Sequence, residues 1–90
     1  MTSKYKIAPE VSWRKLEGEY FFITPRSSEI HSVDGPGCEM VDLLLAGKSC
    51  TEIGKELAQG YEAEAADIAS DAQNLLEQLL AKHILEPDHE

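Results

Sequence analysis

Basic residues are scarce once the first third of the sequence has passed. Residues 27–90 carry three Lys/Arg against fourteen Asp/Glu, a net of −11, whereas residues 1–26 carry five against three, a net of +2. Non-specific nucleic-acid affinity comes from Lys/Arg neutralising phosphates, so this balance argues against a nucleic-acid partner. Acidic charge of this kind keeps a small protein soluble and steers basic partners inward. Long apolar runs are missing as well. None approaches the ~20 residues of a membrane span, and the basic N-terminal residues are not followed by the apolar core of a signal peptide. The expectation is a cytoplasmic chain with no membrane partner. Cysteine is limited to Cys38 and Cys50, twelve positions apart. Without a secretory signal they are expected as buried or half-buried thiols rather than a disulfide. Together with His31, His83 and His89 they do not make the closely spaced pairs of a zinc site, so no metal and no cofactor are expected. Aromatic residues make up only 7% of the chain, so its single Trp13 is expected to fill the core between sheet and helices.

Ninety residues suffice for one domain with a small core. Glycine and proline are absent from Glu62 to Lys82, and the stretch from Glu62 to Leu85 carries the strongest pattern in the chain. Ala65, Ile68, Ala69, Ala72, Leu75, Leu76, Leu79 and Leu80 recur at three- and four-residue intervals, which places them on one face of an α-helix. Glu64, Asp67, Asp71, Asn74 and Gln78 share that period on a displaced, polar stripe. At about 1.5 Å per residue such a helix would cross a whole small domain.

The rest of the chain reads as elements that pack against that helix. Residues 1–8 form an arm, with Pro9 opposing regular structure, and residues 87–90 a polar tail. Residues 11–16 and 20–24 make a hairpin around Glu17-Gly18-Glu19, Pro25–Ser28 a second turn, and Glu29–Val33 a third strand. In that strand Ile30 and Ser32 point to one face, Glu29, His31 and Val33 to the other. Hairpin connectivity gives the order first, second, third, so the third strand is an edge. It has no internal proline and one fixed charge, which leaves it unprotected against pairing with another chain. Asp34 then caps a helix over 38–46 that Gly47 ends, with Met40, Val41, Leu44 and Leu45 inward. Thr51 caps a second over 52–59 with Ile53, Leu57 and Ala58 inside, stopped by Gly60. His83 sits where glycine would more comfortably take the left-handed conformation, and Ile84-Leu85 anchor the end. The fold class is therefore α+β, a three-stranded antiparallel sheet followed by three helices, of the winged helix-turn-helix type.

Chemistry is sparse. The three histidines stand on a strand, at a helix end and in the tail, with no pair held by local spacing. Gly35-Pro-Gly37 is too short to cradle a phosphate and lacks the Lys-Ser/Thr that would complete it. Asp67 and Asp71, one helical turn apart, read as a solvated face rather than a catalytic pair. No catalytic site is expected.

The order of motifs resembles the PqqD-like family. It runs through Ile7-Ala-Pro-Glu-Val-Ser-Trp-Arg14, the hairpin, Glu29-Ile-His-Ser-Val-Asp-Gly-Pro-Gly37, Leu43-Leu-Leu-Ala-Gly47, Cys50-Thr-Glu-Ile53 and Asp71 to Leu85. Members of that family resemble the RiPP recognition element, a winged-helix domain that binds the leader of a ribosomally made precursor peptide and presents it to a modifying enzyme, often a radical-SAM maturase. The chain departs from the family at Val33-Asp34, at Glu39-Met40 and at His83, which favours a peptide-maturation system other than the founding quinone pathway.

The resemblance implies a non-catalytic peptide chaperone whose guest adds as a strand to Glu29, Ile30, His31, Ser32 and Val33. Ile30 or Val33, with Ile68, Ala69, Ala72 and Leu76, would take apolar guest residues. Ala65, Ala69 and Ala72 would admit the guest backbone, and Glu64, Asp67 and Asp71 would hold basic side chains. Two other classes stand beside it. A winged-helix DNA-binding protein would use Thr51–Gln59 as its recognition helix, which offers Lys55 alone against Glu52 and Glu56. A structural subunit of a maturase would bind the enzyme and no peptide. The bare edge also allows pairing with a second copy, a homodimer through the strand.

Overall fold

Alternation of large apolar residues in the sheet, and their three- and four-residue spacing in the helices, converge on one core in the computed structural model. The structure describes residues 4–25 and 29–88. In chain order the elements are β1 (Tyr5–Ile7), β2 (Ser12–Leu16), β3 (Glu19–Ile23), β4 (Ile30–Asp34), α1 (Pro36–Leu45), α2 (Cys50–Ala58), α3 (Ala65–Ala81) and β5 (Leu85–Pro87). The expected fold class stands, with the three-stranded antiparallel sheet in the order β2-β3-β4 preceding the three helices. Expected residues 26–28 of the second turn, and His89 in the tail, lie outside the described residues.

The β2–β3 hairpin is closed by Glu17-Gly18 alone, at φ 49° and 76°. Two positive φ values are what a two-residue loop needs to match the twist of its strands, and Glu17 adopts one without being glycine. From this turn the register pairs Trp13, Phe22 and His31 in one row and Lys15, Tyr20 and Val33 in the next. These rows face the helices, with Phe22 and Tyr20 buried and their rings stacked at 5.5 Å. Trp13 corrects an expectation. It is 50% exposed, because β2 is the other edge of the sheet and the helical layer does not cover it; its ring lies tilted against that of Tyr20, 5.9 Å between centroids.

A second difference lies at the chain ends. Residues 5–7, expected within an arm, form β1 and pair antiparallel with β5, Tyr5 with Pro87 and Ile7 with Leu85. Ala8 donates its N–H to the Ile84 carbonyl at 2.9 Å, and Ala8, Ile84 and Leu85 are all buried. Pro9 ends that strand instead of preventing it. The clamp holds α3 in place from beyond its C-terminus, where His83 at φ 59° makes the expected left-handed turn.

Helix boundaries moved by one to three residues. Gly35, at φ 57°, precedes α1 where Asp34 was expected to cap it, because Asp34 is the last residue of β4. Ser49 rather than Thr51 caps α2: its hydroxyl accepts from the Glu52 N–H while the Glu52 carboxylate accepts from the Ser49 N–H, a closed capping box. α1 contributes Val41 and Leu44, α2 Ile53 and Leu57, and α3 Ile68, Ala72, Leu76 and Leu79 to the core. Gly54 lets α2 and α3 approach closely, since a Cβ there would collide with the Ala65 carbonyl oxygen and lie 3.0 Å from the Ala69 Cβ.

Candidate functional site

β4 lies at the edge of the sheet, hydrogen-bonded to β3 on one side, and no described strand pairs with its other side. Its side chains alternate as expected, Ile30 and Ser32 outward, His31 and Val33 half-buried toward the helices. Beside the strand runs the C-terminal half of α3. The two enclose an open groove of about 440 Å³, with Ile30 to Asp34 on one wall, Leu75, Gln78, Leu79 and Lys82 on the other, and Ile84 at its base. One end is fixed by Gly37, where a Cβ would lie 2.7 Å from Val33 Cγ1 and 3.9 Å from Leu75 Cδ2. At the other end the groove opens into a cleft of about 370 Å³, through the shared residues His31 and Lys82. This cleft adds Glu10, Val11, Thr24, Pro25, Glu29 and His83.

The expected site residues are thereby divided. Ile30, His31, Ser32 and Val33 line the groove, and Glu29 lines the cleft at its end. The residues expected from the long helix do not join them. Ile68, Ala72 and Leu76 are buried in the core. Ala65 and Ala69 are half-buried against Gly54 of α2, and Glu64, Asp67 and Asp71 are exposed around the N-terminal half of the helix. The physical reason is α2, which lies along that half and consumes its small-residue face; the groove is left to Leu75, Gln78, Leu79 and Lys82.

Two features of the site are missing from the sequence-based expectation. His31 and His83, fifty-two positions apart, meet in the same cleft. Glu29 Oε2 lies 3.9 Å from His31 Nε2. On the same face of the sheet, toward β2, Asp42 of α1 accepts from Tyr20 Oη at 2.5 Å and from Lys15 Nζ at 2.7 Å, tying β2 and β3 to α1. Partial burial opposes ionisation of Asp42, but the two donors outweigh it and hold its pKa below the usual carboxylate value. Burial first, then the bond to Asp42, raises the Tyr20 pKa. The signal was present in the sequence: Asp42 stands four residues after Cys38 and three before Leu45, on the inward stripe of α1, where an acid needs a partner. Both cysteines are free, and burial pushes both thiols up, so neither is an activated nucleophile.

Comparison with known proteins bears on this geometry. The profile described as "Coenzyme PQQ synthesis protein D (PqqD)" matches residues 19–85, which spans β3, β4, all three helices and the first residue of β5. The chain belongs to the PqqD family. Among solved structures, this PqqD-family chain resembles a lasso peptide synthetase B1 complexed with its leader peptide, at TM-score 0.81 and 24% identity, covering 93% of this chain and 99% of that one. It also resembles TbiB1 in complex with the TbiA(beta) leader peptide, at TM-score 0.76 and 22% identity, covering 94% and 99%. At these identities the likeness is one of fold. A search of curated proteins finds no match.

Proposed function

We propose that this PqqD-family protein binds the leader segment of a ribosomally synthesised precursor peptide as an added strand on β4 and presents it to a peptide-modifying enzyme. The observation that carries the reading is the coincidence of an unpaired strand edge with an open groove along α3. Strand addition satisfies the edge's free backbone groups and gives affinity, while alternate guest side chains enter the groove and give specificity. An antiparallel guest would run from the Gly37 end toward the cleft. Its groove-facing side chains would meet Val33, Leu75 and Leu79, with Gln78 and Lys82 able to hydrogen-bond at the rim. Support also comes from the two solved structures of similar fold, each a complex with a leader peptide.

The protein acts here as a binding module without chemistry of its own. Among the described residues no three His, Cys, Asp or Glu are grouped to hold a metal, and both thiols are held protonated. Recognition of DNA is poorly served by α2, whose Lys55 stands beside Glu52 and Glu56. A radical-SAM maturase is the first enzyme class to test as recipient.

Fluorescence anisotropy of the labelled leader encoded beside the gene, titrated with the full chain, should show saturable binding. Size-exclusion with the modifying enzyme should then give a ternary complex. A leader that stays free at large protein excess would reject the proposal, and a binary complex with enzyme alone would favour the structural-subunit reading.

A further inference from the structure

The sheet face turned away from the helices carries most of the molecule's exposed large hydrophobic residues: Leu16, Ile23 and Ile30 are 55%, 44% and 67% exposed, and Phe21 is half-buried among them. The register arranges this face as a grid. Ser12, Ile23 and Ile30 form one row, Arg14, Phe21 and Ser32 the middle row, and Leu16, Glu19 and Asp34 the third. Its apolar residues lie on the diagonal from Ile30 through Phe21 to Leu16, with Ile23 beside it, and among the described residues its one cation, Arg14, stands in the middle row. Contiguous apolar surface bordered by polar residues marks a contact site.

We infer that this face associates with the same face of a second copy, the two sheets crossing at a steep angle about a two-fold axis along the Ile30–Phe21–Leu16 diagonal. The charge pattern selects that axis. An axis parallel to the strands would stack Glu19 on Glu19 and Leu16 on Asp34 of the two copies. An axis across the strands would bury Ile23 and Ile30 against carboxylates. The opposite diagonal would set Asp34 on Asp34. Only the first diagonal lays Ile30, Phe21 and Leu16 each on its own copy without setting a carboxylate on a carboxylate or on an apolar residue. With strands about 4.8 Å apart and same-face residues about 6.8 Å apart along them, it also brings Glu19 and Asp34 of each copy over Arg14 of the other. Each contact occurs twice, as a closed two-fold interface requires, and steep crossing is one of the two ordinary modes of sheet packing. The contact leaves the free edge of β4 and its groove open, so it differs from edge-to-edge pairing and does not depend on peptide binding. A nine-residue face is smaller than the ~800 Å² per partner of a standard interface, so the association is weak and concentration-dependent.

Sedimentation equilibrium of the full chain from micromolar to millimolar tests this. The wild type is expected to shift from monomer toward dimer, and dilution should move the amide resonances of Arg14, Phe21 and Ile23. Arg14→Glu and Glu19→Arg should each weaken the dimer about tenfold or more, and the double reversal should restore most of the loss, since it rebuilds the cross-copy pair. A wild type that stays monomeric throughout, or a dimer indifferent to the single reversals, would overturn the inference. So would dilution shifts confined to the edge of β4, or an outer face protected only when the modifying enzyme is added.

Discussion

The two halves of α3 share one apolar period, yet they meet different fates. From Ala65 to Ala72 the helix is sealed against α2 through Gly54, and its alanines serve close packing. From Leu75 to Lys82 it faces β4 across an open groove, and the residues there are longer and mixed, Leu75, Gln78 and Lys82. What separates the halves is the neighbour, since a small residue on α2 closes one and a strand edge leaves the other accessible. Stability should therefore be concentrated in the first half and guest recognition in the second.

The comparison breaks most severely at Gly54. Gly54→Ala should force the sealed half apart and cost about 2–3 kcal/mol, read as a lowered denaturation midpoint; a change below about 0.5 kcal/mol would mean the helices are not in close contact. Next in size, Leu75→Lys, which changes a half-buried groove residue, should weaken leader binding about tenfold or more with a smaller effect on stability, whereas Asp67→Lys on the sealed half should change affinity by less than about threefold. Equal losses from the two variants, measured by anisotropy, would erase the distinction.

Much of this division was hidden from the sequence. The apolar stripe of α3 was legible because its period is local, and so were the hairpin, the alternation in β4, the glycine stops and the left-handed turn at His83. The choice of which half faces the groove was not, because it depends on where α2 lies. Burial alone cannot distinguish an alanine reserved for a helix neighbour from one reserved for a guest. The β1–β5 clamp was missed for a related reason: three-residue strands eighty positions apart leave no periodic trace, and Pro9 pointed toward an arm. Trp13 was assigned to the core on residue type, and its place on an edge strand overrode that tendency.

The link from sheet to α1 offers a smaller effect. Asp42→Asn keeps the shape but weakens acceptance from Lys15 and Tyr20, and should cost about 1 kcal/mol near neutral pH given the partial exposure of the pair. Because the folded-state pKa of Asp42 lies below its ordinary value, its contribution is complete above the usual carboxylate range and is lost as the pH falls through the depressed value. Thermal melts of wild type and variant should therefore converge in strong acid and stay apart at neutral pH. Smallest of all, Glu17→Gly should relieve the positive φ in the hairpin turn and raise stability by about 0.5 kcal/mol, visible as a small rise in Tm with no change in leader affinity.

The account rests on a guest lying between β4 and the C-terminal half of α3. Residue-resolved amide spectra of the labelled protein, recorded while the leader peptide is titrated in, test this directly. The expected result is a set of shifts over Ile30–Asp34 and Leu75–Lys82, with alternate β4 amides gaining protection from hydrogen exchange, while Ala65–Ala72 stay in place. Saturable binding whose shifts instead fall on Ala65–Ala72 and the exposed face of α2, leaving β4 unmoved, would contradict it.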